Sequence, residues 1–114
     1  MVRRPAFAKA FADRWRIVEM DIWSDDVLGI GGEAHLSFAG AEDGEIAFIA
    51  VKAFLDVRYS TRDGHATAEF TFEGFDEGDP ICGRGWASLG TAGRLVGHIY
   101  IHKGDDSGFV CEPG

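Results

Sequence analysis

Arg84 and Trp86 stand two residues apart in the run Cys82-Gly83-Arg84-Gly85-Trp86-Ala87. Side chains alternate along a strand, so this spacing sets a cation and an indole on one face and Gly83 and Gly85 on the other. Asp56 and Arg58 form a second polar pair at the same spacing. Two settings give these residues different chemistry. Turned toward an enclosed interior, charged groups beside an aromatic wall make a small-molecule site. Turned toward solvent, Arg84 stacks on Trp86 and no site follows. The glycines leave the same choice open. They either clear space for a ligand or a bulky side chain, or they relieve a sharply coiled strand beneath an aromatic ring from its neighbour. The candidate ligand-binding set is Arg84, Trp86, Gly85, Asp56, Arg58 and Trp23. Trp23, like Phe54, is an apolar group suited either to the mouth of a site or to plain core packing.

Other clusters carry less. Glu73, Asp76, Glu77 and Asp79 bring carboxylates close together, but their spacing misses the Asp-x-Asp-x-Asp-Gly pattern of a calcium loop. A solvated loop over residues 74–80, turned by Asp79-Pro80, accounts for them. His98 and His102 share a strand face, yet four residues of strand span about 13 Å, too far for both to bind one metal. Ser107 after Asp105-Asp106 reads as a turn residue, and no Ser-His-Asp or Cys-His arrangement has its local context. No catalytic residue, metal ligand or cofactor is assigned. Cys82 and Cys111 form no Cys-x-x-Cys pair and read as two free buried thiols, the alternative being one disulfide in an oxidising compartment.

The bulk properties bound the partners. The chain of 114 residues suits one domain, and 46% apolar residues with nine Phe and three Trp supply a core. Eleven Lys and Arg against nineteen Asp and Glu leave a net charge of −8. Without a basic stripe there is no footprint for nucleic acid. No stretch approaches the roughly 20 apolar residues of a membrane-crossing helix. The basic start, Met1-Val2-Arg3-Arg4-Pro5, is followed by Lys9 and Asp13 before a signal-length apolar run can form, so a cytoplasmic protein is expected. A small apolar molecule, a second copy of the chain or a basic protein are the partners that remain.

The elements that must position these residues are strands. Ala66, Ala68, Phe70 and Phe72 alternate with Thr67, Glu69, Thr71 and Glu73, and the chain returns through residues 82–89 to make an antiparallel pair. Further strands are predicted near 15–20, 34–38, 45–51, 55–59, 95–102 and 109–111. Asp43-Gly44 and Asp63-Gly64 are hairpin signals. A change of parity near Lys52-Ala53 calls for a tight turn there. Ser24-Asp25-Asp26-Val27-Leu28-Gly29 reads as one helical turn with Ser24 as cap and Gly29 as stop. Residues 1–13 form an arm or a short helix with Phe7 and Phe11 on one side, and residues 14–114 form a single domain. The expected fold is all-β, an antiparallel meander of about eight strands closing into a small up-and-down barrel or half-barrel. Eight strands enclose room for side chains or one small ligand.

Three blocks carry a resemblance: Trp15-Arg16-Ile17-Val18-Glu19-Met20; the segment 72–80 followed by Gly83-Arg84-Gly85-Trp86-Ala87; and Ile101-His102-Lys103-Gly104-Asp105-Asp106-Ser107. They resemble a family of small uncharacterised bacterial proteins over residues 15–109. The resemblance implies no activity. A looser similarity to lipocalin-like small barrels rests on the early strand Trp and the meander. The function expected is non-enzymatic binding of a small apolar or amphipathic ligand, in the barrel or at its mouth; the alternative is a protein-interaction module or homodimer.

Overall fold

The computed structural model describes residues 11, 13–40, 42–90 and 93–114. Eight strands run in chain order around one closed antiparallel barrel: β1 (Asp13–Met20), β2 (His35–Ala39), β3 (Asp43–Phe48), β4 (Val51–Arg62), β5 (His65–Asp76), β6 (Asp79–Leu89), β7 (Leu95–Ile101) and β8 (Asp106–Pro113). One helical turn, α1 (Asp25–Leu28), lies between β1 and β2, with Ser24 and Gly29 at its caps as expected. The Ser24 side chain makes no capping bond. The meander closes where β1 pairs with β8, and a register shift between Ile17 and Glu19 lets both Ile17 and Met20 face inward. Asp21 secures this seam: its N–H meets Ser107 Oγ at 3.0 Å, and its carboxylate accepts the Gly108 N–H at 3.0 Å. Ser107, expected in a turn, is therefore a buried residue of β8.

The interior is filled by one apolar cluster, and glycines decide how it fits. Phe70 faces Gly85, Phe72 faces Gly83 and Phe109 faces Gly97 across adjacent strands. A Cβ on Gly85 would stand 2.8 Å from the Phe70 Cζ, and one on Gly83 would stand 2.6 Å from that of Phe72. The rings lie in the hollows the glycines leave, so large and small residues alternate around the barrel. Phe70 and Phe72 are buried while Glu69 and Thr71 are exposed, the parity expected from sequence. Phe11 is fully buried and packs edge-on to Phe38 at 5.5 Å and against Tyr59 at 5.6 Å. Residues 1–10, including Phe7, lie outside the described residues.

Several turns fall elsewhere than expected. The loop foreseen over residues 74–80 is a two-residue turn, Glu77-Gly78, with φ of 52° and 87°; its acidic neighbours belong to β5 and β6. The turn foreseen at Lys52-Ala53 is at Ile49-Ala50. Ile49 has φ 54°, a costly conformation for a β-branched residue, and donates its N–H to the Leu28 carbonyl at 2.9 Å. Asp43-Gly44 starts β3 rather than making the turn, because Gly44 lies beneath Leu55: a Cβ there would be 3.0 Å from Leu55 Cδ1. Asp63-Gly64 turns where its sequence says, with φ of 51° and 81°.

Phe70→Ala should cost about 3–5 kcal/mol in denaturant unfolding, since a buried ring is lost and Gly85 has no side chain to fill the gap. Gly85→Val should leave little folded protein, because its side chain would enter the space of the Phe70 ring and meet the His98 carbonyl oxygen. Circular dichroism of the two variants checks both outcomes.

Candidate functional site

With Gly83 and Gly85 turned inward, Arg84 and Trp86 face out. The same parity puts Phe54, Asp56, Arg58 and Arg62 of β4, Glu69, Thr71, Glu73 and Phe75 of β5, and His98 and Tyr100 of β7 on the outer wall. Twisted, tilted strands give a barrel a narrow waist, so its outer wall is concave along the strands. Over the long strands β4–β6 and the adjoining β7 that concavity becomes an open groove of about 1360 Å³, from Phe54 and Phe75 to Arg84 and Tyr100. A second hollow of about 490 Å³ continues past Arg58, Arg62 and Trp86. The two share Asp56, Thr71, Arg84 and Tyr100.

Those four residues form one row across the wall. Asp56 is opposite Thr71, Thr71 opposite Arg84, Arg84 opposite Tyr100, and Tyr100 opposite Asp106. The Arg84 guanidinium lies over the Tyr100 ring at 5.1 Å, and the Arg62 guanidinium lies over Trp86 at 5.8 Å. The stacking expected of Arg84 on Trp86 is thus replaced by two cross-strand stacks. Arg84 and Tyr100 are directly opposed, and such pairs sit about 5 Å apart, closer than two residues along one strand. Arg58 pairs with Asp56 at 3.2 Å and Glu42 at 3.6 Å, and Arg62 pairs with Glu69 at 2.9 Å. His98 Nε2 is 2.6 Å from Asp106 Oδ2, and its ring packs on Tyr100 at 4.6 Å.

Five of the six candidate residues, Arg84, Trp86, Gly85, Asp56 and Arg58, come together at the second hollow. Gly85 contributes backbone only, because the room expected above it belongs to Phe70. Trp23 stands apart: it is half-buried against Phe48, with ring centroids 5.3 Å apart, and borders neither hollow. The sequence set lacked Tyr100, Arg62 and Phe75. Parity could have supplied Tyr100, since Leu95, Gly97 and Ile99 point inward and the intervening residues must point out.

The lumen offers less than the wall. Its positions are taken by packed side chains, with Phe11, Leu36, Ile46, Leu95 and Ile99 fully buried. Among the described residues no three His, Cys, Asp or Glu side chains converge as a metal site, and no helix is long and apolar enough to cross a membrane. The thiols differ from expectation: Cys111 is buried, while Cys82 is exposed in the groove. Burial pushes the Cys111 thiol from 9.0 up to about 12. Comparison of the chain with family models, with curated proteins and with solved structures finds no significant match.

A thiol reagent at neutral pH should modify Cys82 alone in the folded protein and both cysteines after unfolding, as counted by mass spectrometry. The raised Cys111 value also fixes a sign. Below pH 9 the thiol is neutral in both states and its contribution is fully present. Between pH 9 and about 12 the unfolded chain releases that proton and the folded one keeps it, so stability falls as pH rises. Unfolding midpoints across that range should decline less steeply for Cys111→Ala than for the parent.

Proposed function

We propose that this protein is a non-enzymatic binding domain for a small amphipathic ligand, held in the groove on its outer wall. The observation that carries the reading is the groove's composition. Phe54 is 73% exposed and Phe75 58% exposed on the wall of a single folded barrel, and Trp86 and Tyr100 continue the aromatic surface beneath two guanidinium groups. Apolar area left open in a concavity, with a few polar groups converging on it, is the usual make-up of a ligand site. The filled interior moves the expected ligand from lumen to wall. Cytoplasmic residence fits two unlinked thiols, one of them accessible.

A second reading rests on the same two phenylalanines. An aromatic patch of this kind also suits a protein partner or a second copy of the chain. The double variant Phe54→Ser/Phe75→Ser separates the readings without endangering the core, because both side chains are exposed. N-phenyl-1-naphthylamine, an apolar fluorescent probe, should bind the parent as a monomer and bind the variant at least about tenfold more weakly, the loss of roughly 1.4 kcal/mol. Unchanged probe binding in the variant would refute the groove. A concentration-dependent dimer in sedimentation, abolished in the variant, would establish the second reading in its place.

A further inference from the structure

Arg84 is set apart by what it lacks. The described residues include six arginines, and five of them have a carboxylate partner: Arg14 with Glu33, Arg16 and Arg94 with Glu112, Arg58 with Asp56 and Glu42, and Arg62 with Glu69, at 2.7–3.6 Å. Among the described residues Arg84 forms no ion pair and rests on the Tyr100 ring instead. In a chain with nineteen acidic and eleven basic residues, chance favours pairing. The unpaired guanidinium is also at the place where the two hollows of the groove meet, flanked by the Thr71 and Tyr100 hydroxyl-bearing side chains.

From this, and resting on the groove reading above, we infer that the ligand is an amphipathic anion: a single carboxylate or sulfonate carried on an aromatic or apolar body, with Arg84 receiving the charge. Stacking on a ring occupies the face of a guanidinium and leaves its five N–H donors around the rim, in a fork that matches two oxygens of an anion. Thr71, directly opposite Arg84 in register, adds a hydroxyl donor on the far side from Tyr100. Asp56, Glu73 and Asp106 also border the groove, against the two cations Arg84 and Lys103, so a slight acidic surplus favours one negative charge over several and turns away polyanions. The apolar body would lie along Phe54 and Phe75, on the side of Arg84 away from Trp86.

A matched pair of probes tests the charge separately from the groove. 1-Anilinonaphthalene-8-sulfonate and N-phenyl-1-naphthylamine share an anilinonaphthalene body and differ by one sulfonate. At low salt the anionic probe should bind the parent about fivefold more tightly than the neutral one, the scale of an exposed charge pair. Arg84→Gln should abolish that preference, the anionic probe then binding no more tightly than the neutral one. Arg94→Gln, which removes the same charge outside the groove, should keep it. The preference should also shrink in high salt. Equal affinities in the parent, or an Arg84→Gln variant that weakens both probes alike, would overturn the anion inference and leave the groove standing. Failure of both probes to bind would remove the groove and the inference together.

Discussion

Three rings lying over three glycines hold this structure in register. Phe70 over Gly85, Phe72 over Gly83 and Phe109 over Gly97 tie β5 to β6 and β7 to β8. A slip of one residue in β6 would put Arg84 or Trp86 under a phenyl ring and carry the glycines to the surface. The cost of burying a guanidinium without a partner excludes that arrangement. The same constraint decides what the outside looks like. Because Gly83 and Gly85 must be inside, the cation and the indole that alternate with them must be outside, and the composition of the wall follows from the packing of the core.

The wall inherits a particular electrostatic pattern. Most of the described arginines are neutralised locally by nearby carboxylates, so the negative surplus is spread over the surface and serves solubility. Pairs this exposed contribute little to stability, about 0–1 kcal/mol each. Their effect is to hold side chains in place: Glu69 keeps Arg62 over Trp86, and Asp56 keeps Arg58 from reaching further along the groove. Polar groups with fixed partners frame the one guanidinium that lacks a carboxylate among the described residues.

Much of this was legible in the residues. The alternation in 68–73 and 95–101 gave correct faces because each strand buries one side there, and the number and order of strands followed from it; Thr67, expected on the polar face, is instead fully buried and hydrogen-bonded to Ser88. The turns were less legible. Glu77-Gly78 was obscured by the acidic residues around it, and Asp43-Gly44 carries a hairpin signature that packing overrides, since its glycine is needed under Leu55. Ile49 has no turn propensity at all; α1 and its Leu28 carbonyl hold it, a tertiary effect that no local reading contains. The candidate residues were found as pairs along single strands, whereas the contacts that orient them run across strands. Tyr100 was open to parity, whereas Arg62 lay beyond the strand expected over 55–59 and came into view only with the full length of β4.

The seam between β1 and β8 has a consequence in time. Arg16 and Glu112, joined across it, are 96 residues apart in the chain, while every other neighbouring pair of strands is consecutive. Hairpins β2–β3 through β7–β8 close short loops and can form one after another during synthesis, but the ring waits for its last strand. Until then one edge of β1 and one edge of β7 lack their β8 partner and stand open to any other nascent chain. A ribosome that pauses before β8 therefore holds a sheet able to pair with its neighbours on the same message, a hazard that ends when the final strand closes both edges.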